Sequence, residues 1–206
     1  MKFWLKTSIV GALALTAIAS GPALAAQDAT KGSAVAYPFA FAKGTPTARS
    51  TAYDAAEGIA RKAGYASVPH HVAQAAWKEL GLPTPGIGHM PTRSQLRKLA
   101  ERVKAKVVLF GSVSWHTRSI WVDSGPKTIS DATVTVYVYS IRSGRIVFSK
   151  KSVKGRSDEK ENGYKLAAAI LITPVVSAVS GGPATPREQK AVQIALAKAY
   201  YRWVKR

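Results

Sequence analysis

Ala132-Thr-Val-Thr-Val-Tyr-Val-Tyr-Ser-Ile141 alternates almost without a break, and no other ten residues constrain the fold as tightly. Ala132, Val134, Val136 and Val138 fall on one side, and Thr133, Thr135, Tyr137 and Tyr139 on the other. A period of two among β-formers reads as a strand with one apolar and one wetter face. Arg142-Ser-Gly-Arg145 supplies a tight turn, with Gly144 free to take positive φ, and Ile146 to Val153 returns as a second strand. A third strand is expected from Lys106 to Trp115. Between Trp115 and Ala132 the polar and turn-forming residues read as a loop carrying Trp115 and Trp121. No longer alternating segment is legible.

A sheet must be clad, and the flanking segments carry helical spacing. From Ser50 to Lys62, Tyr53, Ala56, Ile59 and Ala60 share a stripe. His70 to Leu80 is expected to turn Val72, Ala75, Ala76 and Leu80 inward. Thr92-Arg-Ser-Gln95 is a capping box opening a helix with Leu96, Leu99, Ala100 and Val103 on one side. That helix runs straight into the strand at Lys106, as a crossover in a sheet does. Thr185-Pro-Arg-Glu188 is a second capping box with proline at the first helical position. It starts a closing helix with Val192, Ala195, Leu196, Ala199, Tyr200 and Trp203 inward and Lys198, Arg202 and Lys205 outside. Ala34 to Phe41 is a strand interrupted at Pro38, and Tyr65 to Val68 a brief one ended by Pro69. Leu82 to Met90 is a loop by composition.

The ends point to export. Lys2 and Lys6, the apolar run Ser8–Ala19 and Ala23-Leu-Ala25 form a secretory signal, so residues 1–25 are expected to be removed after Ala25. The competing reading is an uncleaved anchor, for which the apolar run is short. Residues 26–33 read as a leader, and residues 34–206 as a single domain with an apolar helical insert over 164–182. Removing 25 of 206 residues leaves 181, enough for one real core. Cysteine is absent, which excludes disulfides, thiol nucleophiles and a lipoprotein anchor. Without Lys2 and Lys6 the chain keeps 28 basic residues against 11 acidic, a formal charge of +17. Such a field on an exported chain draws it to anionic membrane or wall polymer, or serves solubility alone; export argues against nucleic acid.

Chemistry is poorly represented. His70, His71, His89 and His116 lack metal-ligand spacing and read as surface or cap residues. Gly111-Ser112 follows a strand without a nucleophile elbow, and no glycine-rich phosphate loop appears. Asp158, Glu159 and Glu161 cluster in a segment expected to be a solvated loop. No cofactor, metal or catalytic residue nominates itself, so no enzyme is expected; an envelope hydrolase is the alternative, for which the sequence offers no residue. Two features stand out instead. Trp115 and Trp121 bracket Arg118, a grouping typical of protein contacts, although Trp115 ending a core strand and Trp121 covering the sheet edge would serve as well. Ile170, Leu171, Ile172, Val175 and Val176 lie in a segment apolar nearly all round, which fits a buried helix pair or a hairpin dipping into a membrane interface or partner groove.

Three local patterns resemble the periplasmic domain shared by the N-terminal region of TolB, the curli secretion protein CsgG and the penicillin-binding-protein activator LpoB. They are Ala34-Val-Ala-Tyr-Pro-Phe39, Lys104-Ala-Lys-Val-Val-Leu-Phe-Gly-Ser-Val113, and the hairpin from Val134 to Phe148. Arg142-Ser143-Gly144 stands where the family has Asp-x-x-Thr-Gly, and Lys106 where it has aspartate. The resemblance implies an α/β (α+β) fold: a mixed sheet of about five strands flanked by helices and closed by a C-terminal helix. It also implies an envelope module working by contact with envelope proteins and without a cofactor; apart from the resemblance, a mixed sheet leaves edges open to strand addition or self-association.

Overall fold

The computed structural model describes residues 31–37, 39–41, 46–83, 89–159 and 185–206. The expected signal segment 1–25 and the expected insert 164–182, with Ile170, Leu171, Ile172, Val175 and Val176, lie outside the described residues.

The chain order is β1 (Ser33–Ala36), β2 (Ala40–Phe41), α1 (Pro46–Lys62), β3 (Ala66–Ser67), α2 (His70–Glu79), α3 (Arg93–Arg102), β4 (Val107–Val122), β5 (Gly125–Ser140) and β6 (Arg145–Arg156). The closing helix, here α4, spans Pro186–Val204. Among the described residues the strands form one mixed sheet in the order β3-β1-β4-β5-β6, with β2 pairing β4 beyond the end of β1. β1 is parallel to both β3 and β4, whereas β4–β5 and β5–β6 are antiparallel. This is the expected fold class.

Among the described residues two helices cover each face. α1 and α4 pack on Val107, Leu109, Val134, Val136 and Val138 through Ile59, Val192, Leu196 and Tyr200. α2 and α3 cover Val35, Val108, Phe110 and Tyr139 through Ala73, Ala76, Leu96 and Leu99. The alternation at 132–139 maps directly onto this: Ala132, Val134, Val136 and Val138 are buried against the α1/α4 layer. Tyr139 is buried on the α2/α3 side, because helices cover that face too and leave it less wet than its threonines predict.

Local rules set most boundaries. Thr92 and Thr185 both close capping boxes, each side-chain oxygen accepting from the third helical N–H. Gly144 takes φ +63° in the β5–β6 turn. α3 passes into β4 through Lys104 at φ +55°, whose carbonyl accepts from the Ser33 hydroxyl at 2.6 Å.

Two expectations need correction. α2 turns Ala73 and Ala76 inward, with Trp77 packed beside them, while Val72 is exposed. Trp77 sets the helix rotation: it stacks on Tyr37 with centroids 5.0 Å apart and donates Nε1–H to the Leu82 carbonyl at 2.6 Å. The larger correction concerns residues 116–131, which are strand apart from the turn at Asp123 and Ser124. β4 and β5 pair without a register break from Val107↔Ser140 to Val122↔Gly125, joined by Asp123 and Ser124 alone. The sheet therefore does contain a long hairpin.

Candidate functional site: a ribbon and its charged base

Neighbouring strands support only part of that hairpin. β1 and β2 pair β4 as far as Val113, and β6 pairs β5 from Asp131 onward. Among the described residues, 118–122 and 125–129 thus run on as a two-stranded ribbon beyond the rest of the ladder. At about 3.3 Å per residue, five residues carry its tip roughly 16 Å out.

Alternation sorts the predicted contact residues to different places. Trp115 is half-buried and packs against the α1/α4 core, but in mid-strand and not at a strand's end. Trp121, six residues on, is 82% exposed beside the tip, opposite Pro126; it covers no edge. Arg118 lies on the opposite face from both tryptophans. The anticipated Trp–Arg–Trp patch therefore does not assemble. What remains is an exposed indole with Val122 beside it, also exposed.

Arg118 belongs to a second grouping, at the ribbon's base. The register aligns His116, Asp131 and Arg156 across three strands, with Thr133 opposite Lys154 in the next row. Arg118 Nε donates to Asp131 Oδ2 at 2.7 Å, His116 Nε2 lies 3.8 Å from the same oxygen, and Arg156 Nε lies 3.6 Å from Oδ1. The Arg118 hydrogen bond, with the nearby positive charges, holds the Asp131 carboxyl below the usual range, so it stays ionised. Arg156 Nη2 donates to Asp158 Oδ2 at 3.0 Å, and Lys127 approaches the same oxygen at 3.6 Å. Lys198, expected outside, is half-buried and pairs with Glu159 while donating to the Lys154 carbonyl at 3.3 Å. Asp158 and Glu159 are thus tied into the fold and are not members of a loose acidic loop; Glu161 lies outside the described residues. These groups surround a surface cavity of about 420 Å³ lined by His116, Arg118, Asp131, Thr133, Lys154 and Arg156.

On the other face the ribbon's base is fastened to α4. Thr117 Oγ1 lies 2.8 Å from Ser130 Oγ and donates to Glu188 Oε1 at 3.1 Å, and Glu188 is also the partner of Thr185 in the α4 capping box. Ser130 N–H donates to Ser157 Oγ at 3.0 Å. Gly155 is where α4 crosses β6: a Cβ there would stand 2.5 Å from Ala191 O and Ala195 N.

A third grouping joins α1 to α2. The His70 ring lies on Tyr53 with centroids 4.2 Å apart, and its Nδ1 is 3.9 Å from Asp54. Burial, then the charge of Asp54, pushes the Glu57 carboxyl up to about 7 despite Arg61 and His70 nearby. Among the described residues no three histidine, aspartate or glutamate side chains could hold a metal ion, and no helix is long and apolar enough to cross a membrane. Thr117 and Ser130 face away from His116, so the base presents no paired nucleophile and base on those side chains.

The β6 edge is exposed along most of its length and carries Arg145, Lys150, Lys151, Lys154 and Arg156. It has two bulges; at one, Ser152 takes φ +51° and its N–H donates to Thr135 Oγ1 at 3.1 Å. Lysines and bulges both blunt strand addition, which weakens the edge as a docking mode.

No family model and no curated protein matches the chain. Solved structures similar to it in backbone include Escherichia coli LpoB (20% identity, TM-score 0.45, covering 61% of this chain and 57% of that one). They also include lipoprotein GNA1162 from Neisseria meningitidis (16%, 0.47, 67% and 90%) and the PelC dodecamer from Paraburkholderia phytofirmans (20%, 0.43, 88% and 92%). The chain therefore spans little more than half of the LpoB structure. LpoB, to which the strand motifs bear a resemblance, is thus among the backbone neighbours, while the fold class stands on the sheet order and helix layers.

Proposed function

We propose that this chain is an exported, non-catalytic envelope module that acts by docking, and that the β4–β5 ribbon is the part a partner protein holds. Trp121 carries the reading. Aromatic side chains gain much from burial, and an indole left 82% exposed at the end of a protruding ribbon is a contact residue awaiting a surface. The motif resemblance to the TolB, CsgG and LpoB domain supports an envelope setting, and the paired acidic groups favour structure over catalysis. A photo-crosslinking residue at position 121 should give one discrete adduct in intact cells, and the same residue at Gln74, exposed on α2, should give none. No adduct from position 121, or equal labelling from both, would refute the assignment.

The lysines of the β6 edge favour a second reading, adsorption to anionic membrane or wall polymer. Sedimentation with anionic vesicles should then collapse as salt rises, whereas docking through Trp121 should largely survive.

A further inference from the structure

We infer that the cavity at the ribbon's base is a binding site for a phosphate-class anion, framed by Arg118, Lys154 and Arg156 with His116 at its rim. The inference is independent of both readings above: docking through Trp121 needs no anion, and diffuse adsorption needs no pocket.

Three observations converge on it. First, the charges around the cavity do not balance. Arg118, Lys154 and Arg156 line it together with Asp131 and Glu159, and Glu159 is already matched by Lys198. Asp131 is shared between Arg118 and Arg156, and the Lys154 ammonium pairs with no carboxylate among the described residues. Second, the guanidinium groups are oriented before any ligand arrives. Asp131 takes Arg118 through Nε, and Asp158 takes Arg156 through Nη2. Guanidinium groups fixed in this way lose less freedom on binding, and their planar forks match phosphate oxygens. Third, Arg156 Nε is buried without a hydrogen-bond partner among the described residues, since Asp131 at 3.6 Å is too far. That atom is itself closed to solvent, so a ligand would meet the guanidinium through the exposed remainder of a side chain whose charge Asp131, at 3.6 Å, offsets only in part. Asp131 is in this scheme a positioning residue: it orients arginines and repels the anion from its own side. The ligand chemistry is shared by a soluble phosphate ester and a phospholipid headgroup.

The test is a ¹H–¹⁵N NMR titration of the purified protein with inorganic phosphate and with glycerol 3-phosphate, ionic strength held constant with chloride. Saturating shifts are expected at residues 116–118, 131–133 and 154–156. Lys154→Gln with Arg156→Gln should weaken binding at least tenfold, and Lys154→Arg should retain it. Since Arg156→Gln frees two carboxylates, Lys154→Gln alone is the second variant, expected to weaken binding several-fold with all other amides in place. Shifts that grow linearly and scatter over the surface lysines would overturn the proposal. So would a double variant that titrates like the parent. Phosphatidylglycerol and phosphatidylcholine vesicles distinguish the source: loss of phosphatidylglycerol sedimentation in the double variant assigns a headgroup. Unchanged sedimentation with lost glycerol 3-phosphate binding assigns a soluble ester.

Discussion

Gly155→Ala tests the join between α4 and the sheet with a single methyl group. The new Cβ would stand 2.5 Å from Ala191 O and Ala195 N and 3.0 Å from Ala195 Cα. These are backbone atoms in a helix, so no side chain can swing aside; α4 itself must lift by several tenths of an ångström. Lifting it loosens Val192, Leu196 and Tyr200 from Val134, Val136 and Val138. Overpacking of this kind costs about 1–3 kcal/mol, and backbone obstruction places it near the top. Replacing glycine returns about 0.4–1 kcal/mol by narrowing the unfolded ensemble, leaving a net loss of about 2 kcal/mol. With a urea slope of about 2 kcal/mol/M, the unfolding midpoint followed by tryptophan fluorescence should drop by about 1 M. A midpoint equal to or above the parent's would refute the close approach of α4 to β6.

Glu57 gives a pH signature. Its folded pKa is raised from 4.5 to about 7, so the native state holds the proton more tightly than the unfolded chain. The resulting stabilisation is complete below about pH 4.5 and is lost as pH rises through 7, a change on the order of 2–3 kcal/mol. Glu57→Gln should flatten the dependence and be the more stable form at pH 8; parallel stability curves for the two proteins would count against it. Thr185→Ala removes the α4 cap and should cost about 1 kcal/mol, lowering the melting temperature by roughly 2–4 °C; an unchanged melting curve would mean that the cap contributes nothing.

The parts legible in the sequence are those governed by neighbours a few residues away. The capping boxes at Thr92 and Thr185, the turn at Gly144 and the inward valines 134–138 all follow local rules and all recur in the fold. The ribbon does not read as strand because, of residues 116–130, only Ile129 and Ser130 are buried, so no continuous apolar face marks the period. Ser119, Asp123, Ser124, Gly125 and Pro126 read there as turn formers. The rotation of α2 is not legible locally because alanines weigh alike on either side, and the stacking of Trp77 on Tyr37 across the chain decides the matter. The charged base was invisible for a different reason. His116, Asp131 and Arg156 become neighbours only through the register of three strands, and opposite charges spaced at strand intervals were the one available trace.

The bond from Thr117 to Glu188 has a mechanical consequence. Glu188 is at once a member of the last helix's capping box and a tether on the ribbon, so any pull at the ribbon's tip loads α4 as well as the strands. Traction along the hairpin meets ladder bonds lying crosswise to it, which must slide together and cannot peel one after another. The molecule is thus built like a handle riveted through to its frame.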